Sequence, residues 1–359
     1  MKSTEQFSHR FRESLNLIPE HFRKRVNRAG GLSEEKLLDL IIDPQDYGVM
    51  LPDQPSEDVV KSTFDQKECE ALGEEAIQRG EVAYCVLAGG AGTRIGEPKA
   101  LLRLPGIEMS LLTLKLIQAK GNGPIWIIVN SNIKDRVADH VYSQSGIDRS
   151  RVKLIEQYES YRISPDNQII IEDGAPDLYP CGHGDVFPVL INSGALEAFS
   201  LNGGKYVSIV NVDNVMASLD AAILGRHIKE KAKVTCEVVR RRQGDSGGVL
   251  CDVAGSLQIV ESFRIHGVDA QSFNWLNTNS FVFDTDIDLK LLGNAWNRVQ
   301  KNIGNKIVIQ HERLLQEITA AYSTNYIEVE RDERFMPIKN LEDLVLAAKK
   351  IDANNKSFP

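Results

Sequence analysis

No stretch of the 359 residues approaches the roughly 18 consecutive apolar residues that a membrane span requires, and the charged segment Met1–Leu15 has no apolar core of a signal peptide. Cysteine is scarce: five residues, odd in number, widely spaced and without a C-x-x-C pair. That usage excludes a disulfide framework or a thiolate metal site and predicts reduced thiols in a cytoplasmic protein, with Cys85 and Cys236 acting as small hydrophobes in strands. Positive charge is also in deficit. A net charge of −8 disfavours a nucleic-acid partner, because a phosphate backbone would be repelled rather than neutralised. There is no internal repeat, no low-complexity tract, no Walker A loop and no G-x-G-x-x-G dinucleotide fingerprint.

What is present centres on Val82–Arg103, VAYCVLAGGAGTRIGEPKALLR. The apolar run Val82–Ala88 reads as a buried strand, and it enters a loop carrying Gly89, Gly90, Gly92 and Gly96. Glycines at such spacing let backbone N–H groups close on an oxygen-rich anion. Thr93, Arg94 and Lys99 lie in or just beyond the loop, the arginine a planar fork and the lysine a compact point charge.

Residues 1–80 read as a helical arm without a catalytic constellation, Ser33 capping one helix and Asp65–Gln78 forming another, and the arm is expected to pack on the rest. From Val82 the period changes. Strand-like runs at Val82–Ala88, Ile125–Asn130, Val152–Glu156, Tyr206–Val212 and Val234–Arg240 alternate with helical stretches such as Leu111–Lys120 and Gly194–Ser200. That alternation predicts an α/β fold, a mixed and mostly parallel sheet flanked by helices, with ligands gathering at the carboxyl ends of strands. The division is an N-terminal helical segment 1–80, a catalytic domain 81–346 and a polar tail 347–359, with Leu341–Lys350 read as a helix.

Three further segments carry chemistry. Asn211-Val212-Asp213-Asn214 closes a strand with one carboxylate, which suits a hard divalent cation that keeps waters and substrate phosphates; an Asx turn capping the next helix is the other reading. Gly247-Gly248, Glu261 and Asn277-Thr278-Asn279 supply close backbone approach with donors and acceptors for hydroxyl groups, although the asparagines alone also read as a polar turn before a strand at Phe281–Phe283. Arg334-Phe335-Met336-Pro337-Ile338-Lys339 brings a lysine from the far end of the chain.

LAGGAGTRIGEPKALL resembles the signature loop of the sugar-phosphate nucleotidyltransferases, and the ordered segments Pro180-Cys181-Gly182-His183-Gly184-Asp185, NVDN, G-G, V-E, N-T-N and RFMPIK narrow the resemblance to the UTP–glucose-1-phosphate uridylyltransferase type, over roughly residues 82–346. The resemblance implies a Rossmann-like, GT-A-type core. It implies attack of a sugar 1-phosphate on the α-phosphorus of UTP with loss of pyrophosphate, Mg²⁺ as cofactor, and a nucleoside triphosphate and a sugar 1-phosphate as small-molecule partners, with no nucleic acid or membrane. By position it assigns Leu87, Ala88, Gly89, Gly90, Gly92, Thr93, Gln157, Gly182 and His183 to the nucleotide, Gln157 and Gly182 reading uracil. Asn211, Gly248, Glu261, Asn277 and Asn279 go to the sugar, Asp213 to the metal, and Arg94, Lys99 and Lys339 to catalysis. Glucose 1-phosphate is the first acceptor implied. Another sugar or cyclitol 1-phosphate, another nucleotide, or an inactive nucleotide-sugar-binding protein are the alternatives. Eukaryotic members of the family continue into a β-helical oligomerisation domain, so the resemblance carries no oligomeric state to this chain.

Overall fold

In the computed structural model, residues 2–43, 49–60, 65–90, 96–107, 109–288 and 295–355 are described. Four helices come first: α1 (Lys2–Leu15), α2 (Glu20–Val26), α3 (Glu34–Ile42) and α4 (Gln66–Gln78). Ser33 caps α3 by accepting from the Lys36 N–H, as its position before Glu34-Glu35 predicts. Phe11, Ile18, Leu32 and Leu37 are buried in the same cluster as the sheet residues Cys85, Trp126 and Ile209, so the arm is part of the main core.

The chain then alternates. Strand β1 (Val82–Leu87) is followed by α5 (Leu111–Gln118), β2 (Ile125–Val129), α6 (Lys134–Ser143) and β3 (Val152–Glu156). A short antiparallel pair, β4 (Glu159–Tyr161) and β5 (Leu178–Pro180), precedes α7 (Val186–Asn192), α8 (Ala195–Leu201), β6 (Tyr206–Asn211) and α9 (Ala221–Glu230). Next come β7 (Val234–Arg240), β8 (Gly248–Val253), β9 (Ser256–Glu261), β10 (Trp275–Asp284), the hairpin β11 (Asn297–Ile303) and β12 (Lys306–Glu312), then β13 (Thr324–Glu328) and α10 (Leu341–Asn355). The stretch from 347, expected as a polar tail, instead extends the last helix to Asn355, with Ala347, Ala348 and Ile351 packed into the core. No helix among the described residues is long and apolar enough to cross a membrane.

Among the described residues nine strands form one sheet, in the order β9-β8-β10-β6-β1-β2-β3, with β7 bridging β10 and β13. The half containing β6, β1, β2 and β3 is parallel; β8, β9 and β10 pair antiparallel. All six residues of β1 are buried, and they divide by parity. Ala83, Cys85 and Leu87 join one apolar cluster, while Val82, Tyr84 and Val86 join the other. Side chains alternate across a strand, so a continuous apolar run is what a sheet covered on both faces requires. That cover leaves the strand ends as the place where polar groups meet a ligand.

Candidate active site

Where β1 ends, Ala88 donates its N–H to the Ile128 carbonyl, and Gly89 follows against Gln157. A Cβ on Gly89 would lie 1.9 Å from Gln157 Oε1, so only glycine admits this side chain. Asn130, one residue past β2, donates to the Gly89 carbonyl at 2.7 Å and accepts the N–H groups of Asn132 and Ile133. Gln157, one residue past β3, donates Nε2 to the Gly182 carbonyl at 3.0 Å. Gly182 has φ +99°, a conformation that an L side chain rarely adopts, and it lets the chain turn into His183. Leu87 to Gly90, Gln157 and Gly182 are thereby brought together, while Gly92, Thr93 and Arg94 lie outside the described residues.

Burial pushes the His183 imidazolium down to about 4, so the ring is neutral at pH 7. Its Nδ1 accepts the Leu315 N–H at 2.9 Å, which leaves the proton on Nε2 as a donor. The arm closes behind this wall. Arg25 pairs with Glu159 at 2.6 Å, Arg28 pairs with Glu156 at 2.8 Å, and the Arg28 guanidinium lies over the Tyr158 ring.

On the opposite wall, Asp213 follows β6 and its Oδ2 accepts from Lys99 Nζ at 2.5 Å. Lys99 opens a short helical turn and directs its N–H to the Gly90 carbonyl. The loop Asp213–Val215 does not cap a helix; it is stitched to the RFMPIK segment. Ile338 N–H donates to the Asp213 carbonyl at 2.9 Å, Met336 N–H to Asn214 Oδ1 at 2.9 Å, and Asn214 Nδ2 to the Arg334 carbonyl at 3.0 Å. Lys339 is thus one residue beyond a direct bond to Asp213. Its side chain is exposed and has no ion-pair partner among the described residues. Arg334 itself is buried, forked onto Glu237 at 2.7 and 2.9 Å.

The hydroxyl-rich segments also meet. Gly248 and Glu261 are cross-strand partners at the ends of β8 and β9. The N-T-N stretch lies within β10 rather than in a turn before it, a correction whose cause is a bulge: the β7–β10 register shifts between Cys236 and Val238, and Asn279 takes φ +60°. On its other edge β10 pairs with β6 at Phe281–Asp284 and with β8 at Leu276, leaving the asparagines in the gap between. Asn279 donates to Asn211 Oδ1 at 2.9 Å, while its own Oδ1 is buried with no hydrogen-bond partner among the described residues. Glu261 accepts from Gln316 at 2.6 Å, and burial pushes its carboxyl above the usual range.

Asn130, Lys115 and Gln316 are the polar residues that pattern reading passes over. Lys115 is fully buried in the apolar helix α5, with Nζ on the carbonyls of Asn214 (2.6 Å) and Ala217 beneath the Asp213 turn. Burial and the Arg334 charge push it well below the usual lysine range. A lone cation within LLTLKLIQ, and an amide just past a central strand, were the signals available.

Among the described residues no cluster of three or more His, Cys, Asp or Glu side chains is placed to hold a metal. A single strand-end carboxylate still fits Mg²⁺, which keeps several waters and uses substrate phosphates as ligands. In this structure the cation beside Asp213 is the Lys99 ammonium.

Comparison with known proteins gives the family and the fold. The family described as UTP–glucose-1-phosphate uridylyltransferase matches residues 52–357. A probable UTP–glucose-1-phosphate uridylyltransferase of Schizosaccharomyces pombe is 25% identical over 295 residues, covering 74% of this chain and 58% of that protein. The UTP–glucose-1-phosphate uridylyltransferase of Solanum tuberosum is 29% identical over 294 residues, covering 72% and 59%. The chain therefore spans about three-fifths of the length of these relatives. Among solved structures, a uridine diphosphate N-acetylglucosamine pyrophosphorylase of Trypanosoma brucei superposes with TM-score 0.75 at 21% identity, covering 98% of this chain and 84% of that one. A UDP-glucose phosphorylase of the same organism gives 0.70 at 24%, covering 88% and 75%. At such identity the two structures establish the fold, which is that of the nucleotidyltransferase-type pyrophosphorylases.

Proposed function

The chain belongs to the UTP–glucose-1-phosphate uridylyltransferase family, and on that premise we propose that it transfers a uridylyl group from UTP to a sugar 1-phosphate, glucose 1-phosphate first, releasing pyrophosphate. The observation that carries this reading is the convergence on Asp213 of three segments far apart in sequence: Lys99 from the end of the glycine loop, the NVDN strand end, and RFMPIK.

The acceptor phosphate is already a nucleophile, so no covalent enzyme intermediate is needed; alignment and charge stabilisation suffice. Gln157 and the Gly182 backbone read the uracil edge, and the glycine loop receives the phosphates. His183 donates from Nε2 toward them. Glu261, Asn277, Asn279, Asn211 and the Gly248 backbone take the sugar hydroxyls, the unpartnered Asn279 Oδ1 supplying an acceptor. Lys99 and Lys339 approach the α-phosphoryl group from two sides, with Arg94 alongside. Asp213 holds Mg²⁺, which when bound neutralises phosphate charge. Five free buried cysteines fit a reducing compartment, the cytoplasm, and the net charge of −8 disfavours a nucleic-acid partner.

The test is pyrophosphate release from UTP with Mg²⁺ and a panel of sugar and cyclitol 1-phosphates. Fastest turnover with glucose 1-phosphate is expected. Release with none of the panel, from folded protein, overturns the enzymatic reading, and faster turnover with another acceptor or nucleotide reassigns the substrate.

A further inference from the structure

Lys99 and Asp213 make a pair that a purely structural role does not explain. The two side chains are 25% and 20% exposed, so the pair lies part-buried at the strand end rather than in the core. A single ion pair that still reaches solvent adds only a modest increment to stability. Each partner uses one hydrogen bond among the described residues, leaving two N–H donors on Lys99 and Oδ1 on Asp213 uncommitted. The two walls are otherwise fixed independently. The Lys99 stem lies along Gly90, and the Asp213 backbone is pinned by Ile338. The bond between the side chains can therefore open with no rearrangement of either wall.

Chemistry sets the two cations in competition for Oδ2. A divalent ion on Oδ2 would stand at about 2.0–2.1 Å from it, and an ammonium already 2.5 Å from the same atom would face a doubly charged neighbour at contact distance. Like charges that close repel strongly in a part-buried setting. We propose that Lys99 is an internal counter-cation that holds Asp213 closed to free divalent ions, and that it lets go when a triphosphate offers the ammonium a more highly charged partner. Metal then enters with the nucleoside triphosphate rather than ahead of it. This rests on the reading of Asp213 as the metal ligand.

The test titrates Mn²⁺ into nucleotide-free protein and follows the free ion by electron paramagnetic resonance. Lys99→Met is expected to bind Mn²⁺ at least tenfold more tightly than the wild type, and Asp213→Asn should remove binding in both backgrounds. If Lys99→Met binds no more tightly while Asp213→Asn still weakens binding, the counter-cation role is overturned and the ligand assignment stands. If Asp213→Asn changes nothing in either background, the ligand assignment fails and the proposal falls with it. A second measurement keeps Lys99 in place: acetylation of its ε-amine, followed by mass spectrometry. Labelling should be several-fold faster in Asp213→Asn, and faster in the wild type at saturating Mn²⁺. Equal rates in wild type and Asp213→Asn show that the carboxylate does not hold the lysine, and overturn the proposal.

Discussion

The two walls of the cleft are built from different interactions. On the wall around β2 and β3, neutral groups are already bonded to one another: Gln157 to Gly182, Asn130 to Gly89, and a neutral His183 to the Leu315 N–H. At the end of β6 the groups are charged, and one pair, Lys99 with Asp213, is bonded side chain to side chain. Neutral hydrogen bonds that are satisfied in the empty protein fix shape and select by leaving a wrong ligand unpaired. Charged groups act on charge that develops during reaction, where a low-dielectric setting strengthens them. The comparison predicts that substitutions on the charged wall lower kcat and those on the neutral wall lower selectivity.

The largest effect tests the charged wall. Asp213→Ala should lower kcat about a thousandfold, roughly 4 kcal/mol of barrier, while leaving uridine monophosphate binding within a few-fold because the neutral wall is untouched. Pyrophosphate release and calorimetry check the two halves. Near-normal kcat at the same Mg²⁺ concentration contradicts the assignment.

Next in size are the lysines. Lys99→Met and Lys339→Met should each cost at least about tenfold in kcat, and the double variant should lose less than the product, since groups acting on one phosphoryl are coupled. Arginine at either position should not restore full activity, because a planar fork does not replace a compact ammonium. A double variant whose loss is the product of two small losses places Lys339 outside the reacting centre.

A smaller effect should appear on the neutral wall. Gln157→Leu keeps the volume but removes the amide, and should reduce kcat/KM for UTP about 10- to 100-fold with little change in kcat, narrowing the gap to CTP and ATP. Competition assays with the three nucleotides measure it. An unchanged preference for UTP would show that the base is read elsewhere.

How far the sequence discloses this arrangement follows from what each interaction depends on. Strand β1 is legible because both faces are buried, so its apolar run is unbroken. Asp213 and Lys99 are legible because each ends a recognisable local element. Lys115 and Asn130 are not, since their partners are backbone carbonyls of distant segments, which leave no mark in local pattern. The strand through Asn277–Ser280 is concealed for another reason: a bulge and one residue at positive φ interrupt its alternation, so three polar residues read as a turn. Arg94, Thr93 and Gly92 rest on sequence alone.

The smallest expected effect concerns the neutrality of that wall. Burial holds His183 and His311 each down to about 4, against an ordinary imidazole value near 6.5. A histidine whose folded value is depressed stays neutral in the native state while the unfolded chain takes up a proton, so its contribution is complete above about pH 6.5 and is lost as pH falls toward 4. Asp185, pushed up to about 7 by burial against the opposing charge of Arg313, runs the other way and loses stability as pH rises through the same range. The bulk pH profile therefore mixes signs. The difference between wild type and His183→Gln removes most of the shared contribution of Asp185 and isolates the imidazole. From pH 7.5 to 4.5 the wild type should lose about 1–3 kcal/mol of unfolding free energy relative to His183→Gln, measured by urea denaturation at each pH. Parallel profiles for the two proteins would mean that His183 titrates in the folded state as it does in the unfolded chain, and that its Nε2–H is not a fixed neutral donor on the base wall.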